Sequence, residues 1–484
     1  MAEDDDDGDD VYPLHAFDDT QYNRKLLSWL MRFNDVLDPG RLHGALARLL
    51  DIGDWRKLGG RLKLKPSGKL EVHAPKHFSP DRPAVSFTHQ DFSGLPIEEH
   101  PIARRFPEPT DGPSIQPISD FRPFLAPRDY PKTLQDMISR DLPQLSLHIT
   151  SFRNATLVAI AWPHTLMDAI GQQALLRSWS LVLAGREQDV PPILGAREDF
   201  LKELEDDESE EEREPLALER NRLGMLGSFA MIARFVWDRF WSPPLELRAI
   251  YLPGKTLSRL RAQAQKQIGE LPENPGHDDR FVSEGDVLTA WIARAVSLPR
   301  RPLTLVSFFN PRYRLPRLRD ETTGVYAQNM TQLSFTFCSP HLAGGDLGHL
   351  ALQHRRQMAE QTSGRQTLSL MRTMRRGIEA GKFDVFFGEA NALPIFYNNL
   401  TRVDLLKAVD FGPAVLSRGD SKPKNPPGTM VMYYNQPVDG SLRGPSSFYM
   451  LGKDYADNHW LMGDLLPQAW TRIEDELRAL EDGG

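Results

Sequence analysis

Seven consecutive residues, Thr156-Leu157-Val158-Ala159-Ile160-Ala161-Trp162, form an almost unbroken apolar run that stops at Pro163. A strand with one wet face alternates polar and apolar residues. A run without alternation suits a strand covered on both faces. Pro163 has a fixed φ and biases Trp162 toward extended backbone, so the strand ends cleanly there. A helix is predicted over 168–183: apolar residues recur at Ile170, Ala174, Leu175, Trp179 and Val182, and Gly185 stands where a C-terminal cap belongs. A buried strand running straight into a helix places the residues between them, His164 to Met167, at a corner held from both sides.

The rest of the chain mixes strands and helices in the same style. Residues 61–65 and 69–73 read as a hairpin turning at Pro66-Ser67-Gly68. Strands are predicted at 145–148, 303–309, 331–337, 394–398, 429–435 and 447–451, and helices at 42–51, 255–268, 287–297, 347–361, 366–380 and about 461–480. Ser283-Glu284-Gly285-Asp286 has the form of a capping box at the start of the helix over 287–297. Residues 75–131 are Pro-rich and read as irregular or edge structure. The pattern predicts an α/β protein of two similar-sized lobes.

Charge divides the chain further. The 484 residues carry 58 Lys and Arg against 66 Asp and Glu, a net of −8, yet seven of the acids lie in residues 1–10 and nine in 203–214. Without those two runs and Arg213, 57 bases face 50 acids, so the body is about +7. Dense acidic runs read as solvated segments. The predicted organisation is an acidic, disordered tail over 1–20, an N-terminal lobe over 21–200, an acidic linker and crossover over 201–250, and a C-terminal lobe over 251–484. The second run is expected to loop away from the body, so that deleting 204–213 leaves the fold intact. Residues 223–241 are the most hydrophobic long window, but Arg234, Asp238 and Arg239 make it a poor membrane span. It reads as a partly buried connecting helix, with an interfacial membrane contact as the alternative. No transmembrane segment and no secretory signal is read. A single cysteine, Cys338, excludes an internal disulfide framework, and no Cys/His spacing points to a metal. A cytoplasmic location fits.

His164 and Asp168 have the spacing HxxxD, which His15/Asp19 and His77/Asp81 share. Chance alone supplies about one such match in a chain of this make-up. Context separates them, because only His164 stands between a buried strand and a helix. A rigidly held imidazole, ordinarily titrating near about 6.5, is a general base at neutral pH. Asp168 either orients that ring or pairs with a cation that locks the corner. The structural alternative is a satisfied histidine followed by an N-cap aspartate.

His164-Thr165-Leu166-Met167-Asp168-Ala169-Ile170-Gly171 resembles the HxxxD(G) signature of the BAHD acyltransferases, a coenzyme-A-dependent family that shares its fold with chloramphenicol acetyltransferase. Asp410-Phe411-Gly412 resembles the start of the family's DFGWG motif, with Pro413 and Ala414 in place of Trp-Gly. Phe281 to Ala295, the Asn-x-Arg of Phe308 to Pro316, and Gly59 to Pro75 resemble further landmarks, in family order and closest to the fungal branch. The resemblance implies two chloramphenicol-acetyltransferase-like domains with an active-site channel between them. It implies that His164 deprotonates the acceptor, that Asp168 is structural and pairs with Arg312, and that acyl-coenzyme A is a co-substrate with no permanently bound cofactor. It also implies a monomer. Asn399 is the candidate oxyanion donor, and an asparagine in a turn after a strand is the plainer reading. Candidates for the coenzyme phosphates are Ser283, Arg314 and Lys422, within wider clusters at Arg312–Arg319, Arg372–Arg376 and Lys422–Lys424.

The expected function is acyl transfer from acyl-coenzyme A to a hydroxyl or amine of a small, secondary-metabolite acceptor. The alternative is a non-catalytic binding or regulatory protein on the same fold. A condensation-type domain is a third reading, weakened because Pro163 stands where such domains carry a first histidine. No Walker loop, GxGxxG or GxSxG competes, and no nucleic-acid-binding motif is present.

Overall fold

The apolar run becomes the middle strand of a five-stranded sheet. All eight residues of Thr156–Pro163 are buried, between Leu26–Phe33 and Leu145–Phe152, both antiparallel to it. The sheet runs Met430–Pro437, Leu26–Phe33, Thr156–Pro163, Leu145–Phe152, Val85–Phe92. The computed structural model describes residues 8–209, 213–272, 280–319, 323–381, 386–419, 425–438 and 444–482. Helices Pro39–Leu49 and Ala169–Leu183 bury their apolar faces in the same core as this sheet.

A second sheet of seven strands runs Gln332–Cys338, Leu303–Phe309, Leu393–Asn399, Ser447–Lys453, His459–Leu465, Glu246–Leu252, Ser114–Pro117. Its core includes buried residues of Gly254–Gly269, Glu284–Val296 and Leu347–Gln361, with Trp470, Ile473 and Leu477 of Pro467–Asp482. Two lobes of mixed sheet and helix result.

Each lobe borrows a strand from the other half of the chain. Ser114–Pro117 pairs with Glu246–Leu252 at the edge of the second sheet, and Met430–Pro437 pairs with Leu26–Phe33 at the edge of the first. Both strands cross the expected boundaries 21–200 and 251–484, since an open sheet edge is satisfied by whichever strand reaches it.

The acidic segments depart further from expectation. Residues 1–7 of the expected tail lie outside the described residues, and residues 10–18 are built into the fold. Asp10–Pro13 pairs with Leu70–Ala74, and Tyr12, Phe17 and Asp18 are buried. Residues 210–212 of the acidic run lie outside the described residues, and residues 203–208 do not loop away. Leu201 and Leu204 of the helix Phe200–Asp206 are buried, and the Glu205 carboxylate meets the Arg375 guanidinium at 3.0 Å with both side chains almost fully covered. Arg375 also meets Asp199 at 2.7 Å, and Arg372 pairs with Glu208. Arg317 meets Asp207 at 2.5 Å. The acids neutralise a basic helix, Gly364–Glu379, and strap the chain across the second lobe. The helix Met225–Trp241 has no fully buried residue; Gly227, Ser228, Met231, Phe235, Asp238 and Arg239 are half-buried and the others exposed.

Candidate active site

The corner after Pro163 is clamped through its backbone. The His164 N–H donates to the Lys25 carbonyl at 2.8 Å, and the His164 carbonyl accepts from Asn329 Nδ2 at 2.9 Å. Asn329 is in turn fixed by Asp18, whose Oδ1 accepts from the Asn329 backbone N–H at 2.9 Å and from Nδ2 at 3.2 Å. Burial raises the Asp18 carboxyl, which the Lys57 ammonium and the Asn329 donors oppose. Neither Asp18 nor Asn329 carries a local signal. Asp18 sits beside an acidic run that looks like tail, and Asn329 in a loop without a motif.

The His164 ring has no side-chain hydrogen-bond partner among the described residues. Its Nδ1 is buried without a partner in hydrogen-bond geometry, while the residue as a whole is only half-buried. Burial, with the charge of Lys25, pushes the imidazole down to about 4, against the smaller opposing pull of backbone groups at His164 and Met167 and of Asp168. The ring is therefore neutral at pH 7 and accepts a proton. The two other histidines with the same spacing lack this setting. His15 bonds the Gly195 carbonyl through Nε2 at 2.8 Å, and His77 is exposed.

Asp168 caps the helix Ala169–Leu183. Its Oδ1 accepts from the N–H groups of Ile170 and Gly171 at 3.0 and 3.2 Å. The remaining capacity goes to the other lobe: Arg312 donates to Oδ2 at 2.9 Å and to Oδ1 at 3.1 Å, the Met330 N–H to Oδ2 at 3.1 Å, and the Thr331 hydroxyl to Oδ2 at 3.3 Å. Six donors on one buried carboxylate leave it nothing to offer the imidazole. Gly171 belongs to the same packing, because a Cβ there would lie 2.0 Å from the Ala327 carbonyl oxygen.

The other candidates fall in different places. Ser283 spends its side chain on the capping box, accepting from the Asp286 N–H at 3.2 Å and donating to Asp286 Oδ2 at 2.7 Å. Asn399 ends the strand Leu393–Asn399, and its Oδ1 accepts from the Thr401 N–H at 3.0 Å in a turn. Its Nδ2 faces the start of the helix Glu284–Val296, 2.5 Å from where a Cβ on Gly285 would stand. The two are brought together there, and no described contact joins either to His164. Arg314 donates to Thr362 Oγ1 at 3.3 Å and lies near Arg319 and Arg402, whose charges add to burial in holding its pKa below the usual guanidinium value. Arg402, without a sequence signal, stacks over the Tyr313 ring at 4.0 Å. Among the described residues no carboxylate pairs with Arg314, Arg319 or Arg402. Arg372 and Arg375, by contrast, are occupied by the acidic strap. Lys422 and Lys424 lie outside the described residues. The Asp410-Phe411-Gly412 segment is packed into the first lobe. Phe411 is fully buried against Phe33 and Trp179, and Pro413 sits in a short 3-10 turn, Gly412–Ala414.

Two lobes of mixed sheets that meet at an HxxxD corner, with the aspartate locked to an arginine from the opposite lobe, define the class of two-domain acyltransferases. No family model matches the chain. It is 35% identical over 487 residues to O-acetyltransferase PaAT-2 of Phomopsis amygdali, covering 98% of both chains. It is 34% identical to acetyltransferase pyiB of Pyricularia grisea, over 97% of this chain and 94% of that one. A relative from Penicillium decumbens, 33% identical over 97% of this chain and 95% of its own length, is named transcriptional regulator calD. The fold matches F. sporotrichioides TRI101, solved with coenzyme A and T-2, with a TM-score of 0.64 over 96% of both chains at 14% identity. It also matches the first condensation domain of the calcium-dependent antibiotic synthetase, with a TM-score of 0.52 at 13% identity over 95% of this chain and 89% of that one. The chain belongs to the family of these fungal acetyltransferases.

Proposed function

We propose that this protein transfers an acyl group, acetyl by the names of its relatives, from acyl-coenzyme A to a hydroxyl or amine of a small secondary metabolite, with His164 as general base. The observation that carries the reading is the His164 ring: neutral, half-buried, free of side-chain partners among the described residues, and mounted on a backbone clamped from both lobes. Nδ1 is buried without a partner, and Nε2 is assigned as the nitrogen that meets the acceptor. The acceptor's proton passes to Nε2 as its oxygen or nitrogen attacks the thioester carbon. The C–S bond then breaks, and the imidazolium returns the proton to the departing thiolate. No acyl-enzyme forms in this sequence. Cys338 is no substitute nucleophile, since burial pushes its thiol up to about 12 and keeps it protonated.

Arg314, Arg319 and Arg402 support the reading as cations for the coenzyme phosphates, because none is neutralised by a described carboxylate. Asn399 is the candidate oxyanion donor, because its Nδ2 has no hydrogen-bond acceptor among the described residues while Oδ1 is held by the Thr401 N–H. A cytoplasmic monomer belongs to the same proposal. The regulator name of one relative favours a second reading, binding without turnover.

The test is thiol release from acetyl-coenzyme A across a panel of alcohols and amines. His164→Ala is expected to lower kcat by about 10²–10⁴-fold with coenzyme binding kept. Unchanged turnover in His164→Ala removes the assigned base. Tight coenzyme binding with no turnover by the wild-type chain on any acceptor establishes the second reading.

A further inference from the structure

The helix Met225–Trp241 wears its apolar residues on the outside. Met225, Leu226, Phe229, Trp237, Phe240 and Trp241 are each at least 59% exposed. Their spacing places them on one broad face. The half-covered side carries Gly227, Ser228, Met231, Phe235, Asp238 and Arg239, so only two of the helix's large apolar side chains are half-covered and the rest stand outside. Asp238 meets Arg301 at 2.6 Å and Arg234 at 3.0 Å, so a charged network ties the helix to the start of the strand Leu303–Phe309. An ordinary surface helix does the reverse, burying its apolar stripe and wetting its charges.

We infer that this face docks on an anionic lipid bilayer. Three observations select that occupant. The exposed face is built from Trp, Phe, Leu and Met with Arg234 beside it, the make-up of a helix that lies in a membrane interface. Tryptophans at two positions, with an indole N–H apiece, suit the headgroup level. Second, the helix and the turn it is tied to carry a net positive charge: Arg301 is spent on Asp238, which leaves Arg234, Arg239 and Arg300 in excess. Cations flanking an apolar face complement anionic headgroups. Third, the face is too small for a second copy. A helix of 17 residues is about 25 Å long and about 10 Å wide, a few hundred Å² against the roughly 800 Å² per partner of a stable dimer. A bilayer imposes no such threshold. No described helix is long and apolar enough to cross a membrane, so the contact is a surface one. The inference is independent of the acyl-transfer chemistry, which involves none of these residues.

The experiment is flotation of the full chain with vesicles of phosphatidylcholine alone and of phosphatidylcholine with about one third phosphatidylserine. Expected is co-flotation at least tenfold stronger with the anionic vesicles, weakened by salt, with a blue shift of tryptophan emission. The triple variant Phe229→Ser, Trp237→Ser, Phe240→Ser should lose at least tenfold in binding while keeping its melting temperature and its turnover of soluble substrates. Arg234→Glu with Arg239→Glu should erase the preference for anionic lipid. The proposal is overturned if the wild-type chain floats with neither vesicle or if the triple variant floats like wild type. It is also overturned if light scattering shows a dimer that the triple variant splits, which assigns the face to a second copy.

Discussion

Arg312 grips Asp168 through two hydrogen bonds of 2.9 and 3.1 Å, joining the turn after the strand Leu303–Phe309 to the first turn of the helix Ala169–Leu183. The side chains are 6% and 4% exposed. The aspartate of the HxxxD spacing therefore works as a bolt between lobes, and in the proposed reaction the histidine beside it acts without it.

Removing one member of that pair leaves the other charged and buried. Asp168→Ala also strips a helix cap, so a loss of about 3–5 kcal/mol in denaturant unfolding is expected. Arg312→Lys should not rescue the fold, because one ammonium cannot reach the five acceptors that the guanidinium serves. An Asp168→Ala protein of unchanged stability that has lost only kcat would show that the carboxylate acts on the imidazole.

The pH profile of kcat/KM reports on His164. The ring must be neutral to act, and burial pushes it down to about 4 in the free protein. The rate should rise with pH through about 4 and be flat above about 5. At pH 5.5 an unshifted ring would leave about a tenth of the activity, whereas this one keeps nearly all of it. A midpoint near 6.5 would mean that the ring is solvated in the working enzyme.

Acid should also unfold the protein early, for a related reason. His148, His354 and His459 are buried, and burial pushes each down to about 4. Between pH 6.5 and 4 the unfolded chain binds protons that the native one refuses, so stability is full above the unfolded value and is lost as pH falls through this window. About 2 kcal/mol per histidine is expected between pH 7 and pH 5. Asp18 and Glu205, raised by burial, pull the other way. The comparison that isolates the histidines is His459→Leu, whose two ring nitrogens make no hydrogen bond. Its melting temperature should fall less with acid than that of wild type.

The acidic strap should prove structural. Glu205→Ala leaves Arg375 with Asp199 alone and is expected to cost on the order of 3 kcal/mol. Deleting 204–213 should lower the melting temperature by at least as much. Unchanged thermal unfolding of the deletion would restore the picture of a free loop.

Most of the second lobe is legible in the sequence because its helices are amphipathic and capped. The helix Leu347–Gln361 falls at its predicted bounds, and the Ser283–Asp286 capping box is present. Leu26–Phe33 is not legible. Its eight residues, Leu-Leu-Ser-Trp-Leu-Met-Arg-Phe, are all buried, lack period-two alternation and contain no β-branched residue. His459–Leu465 is hidden differently. It runs into the amphipathic pattern of the last helix, which starts only at Pro467.

Taken by itself, the sequence determines the corner at His164: an apolar strand, a proline stop and a capped helix depend on residues a few positions apart. It also determines how much charge each segment carries. Only the tertiary structure decides which charges meet. Asn329 reaches Asp18 across 311 positions, Arg312 reaches Asp168 across 144, and Arg375 reaches Glu205 across 170. Local periodicity carries no record of such partners. A buried ion pair forms where packing brings two distant elements together and removes the water that would otherwise have solvated each charge alone.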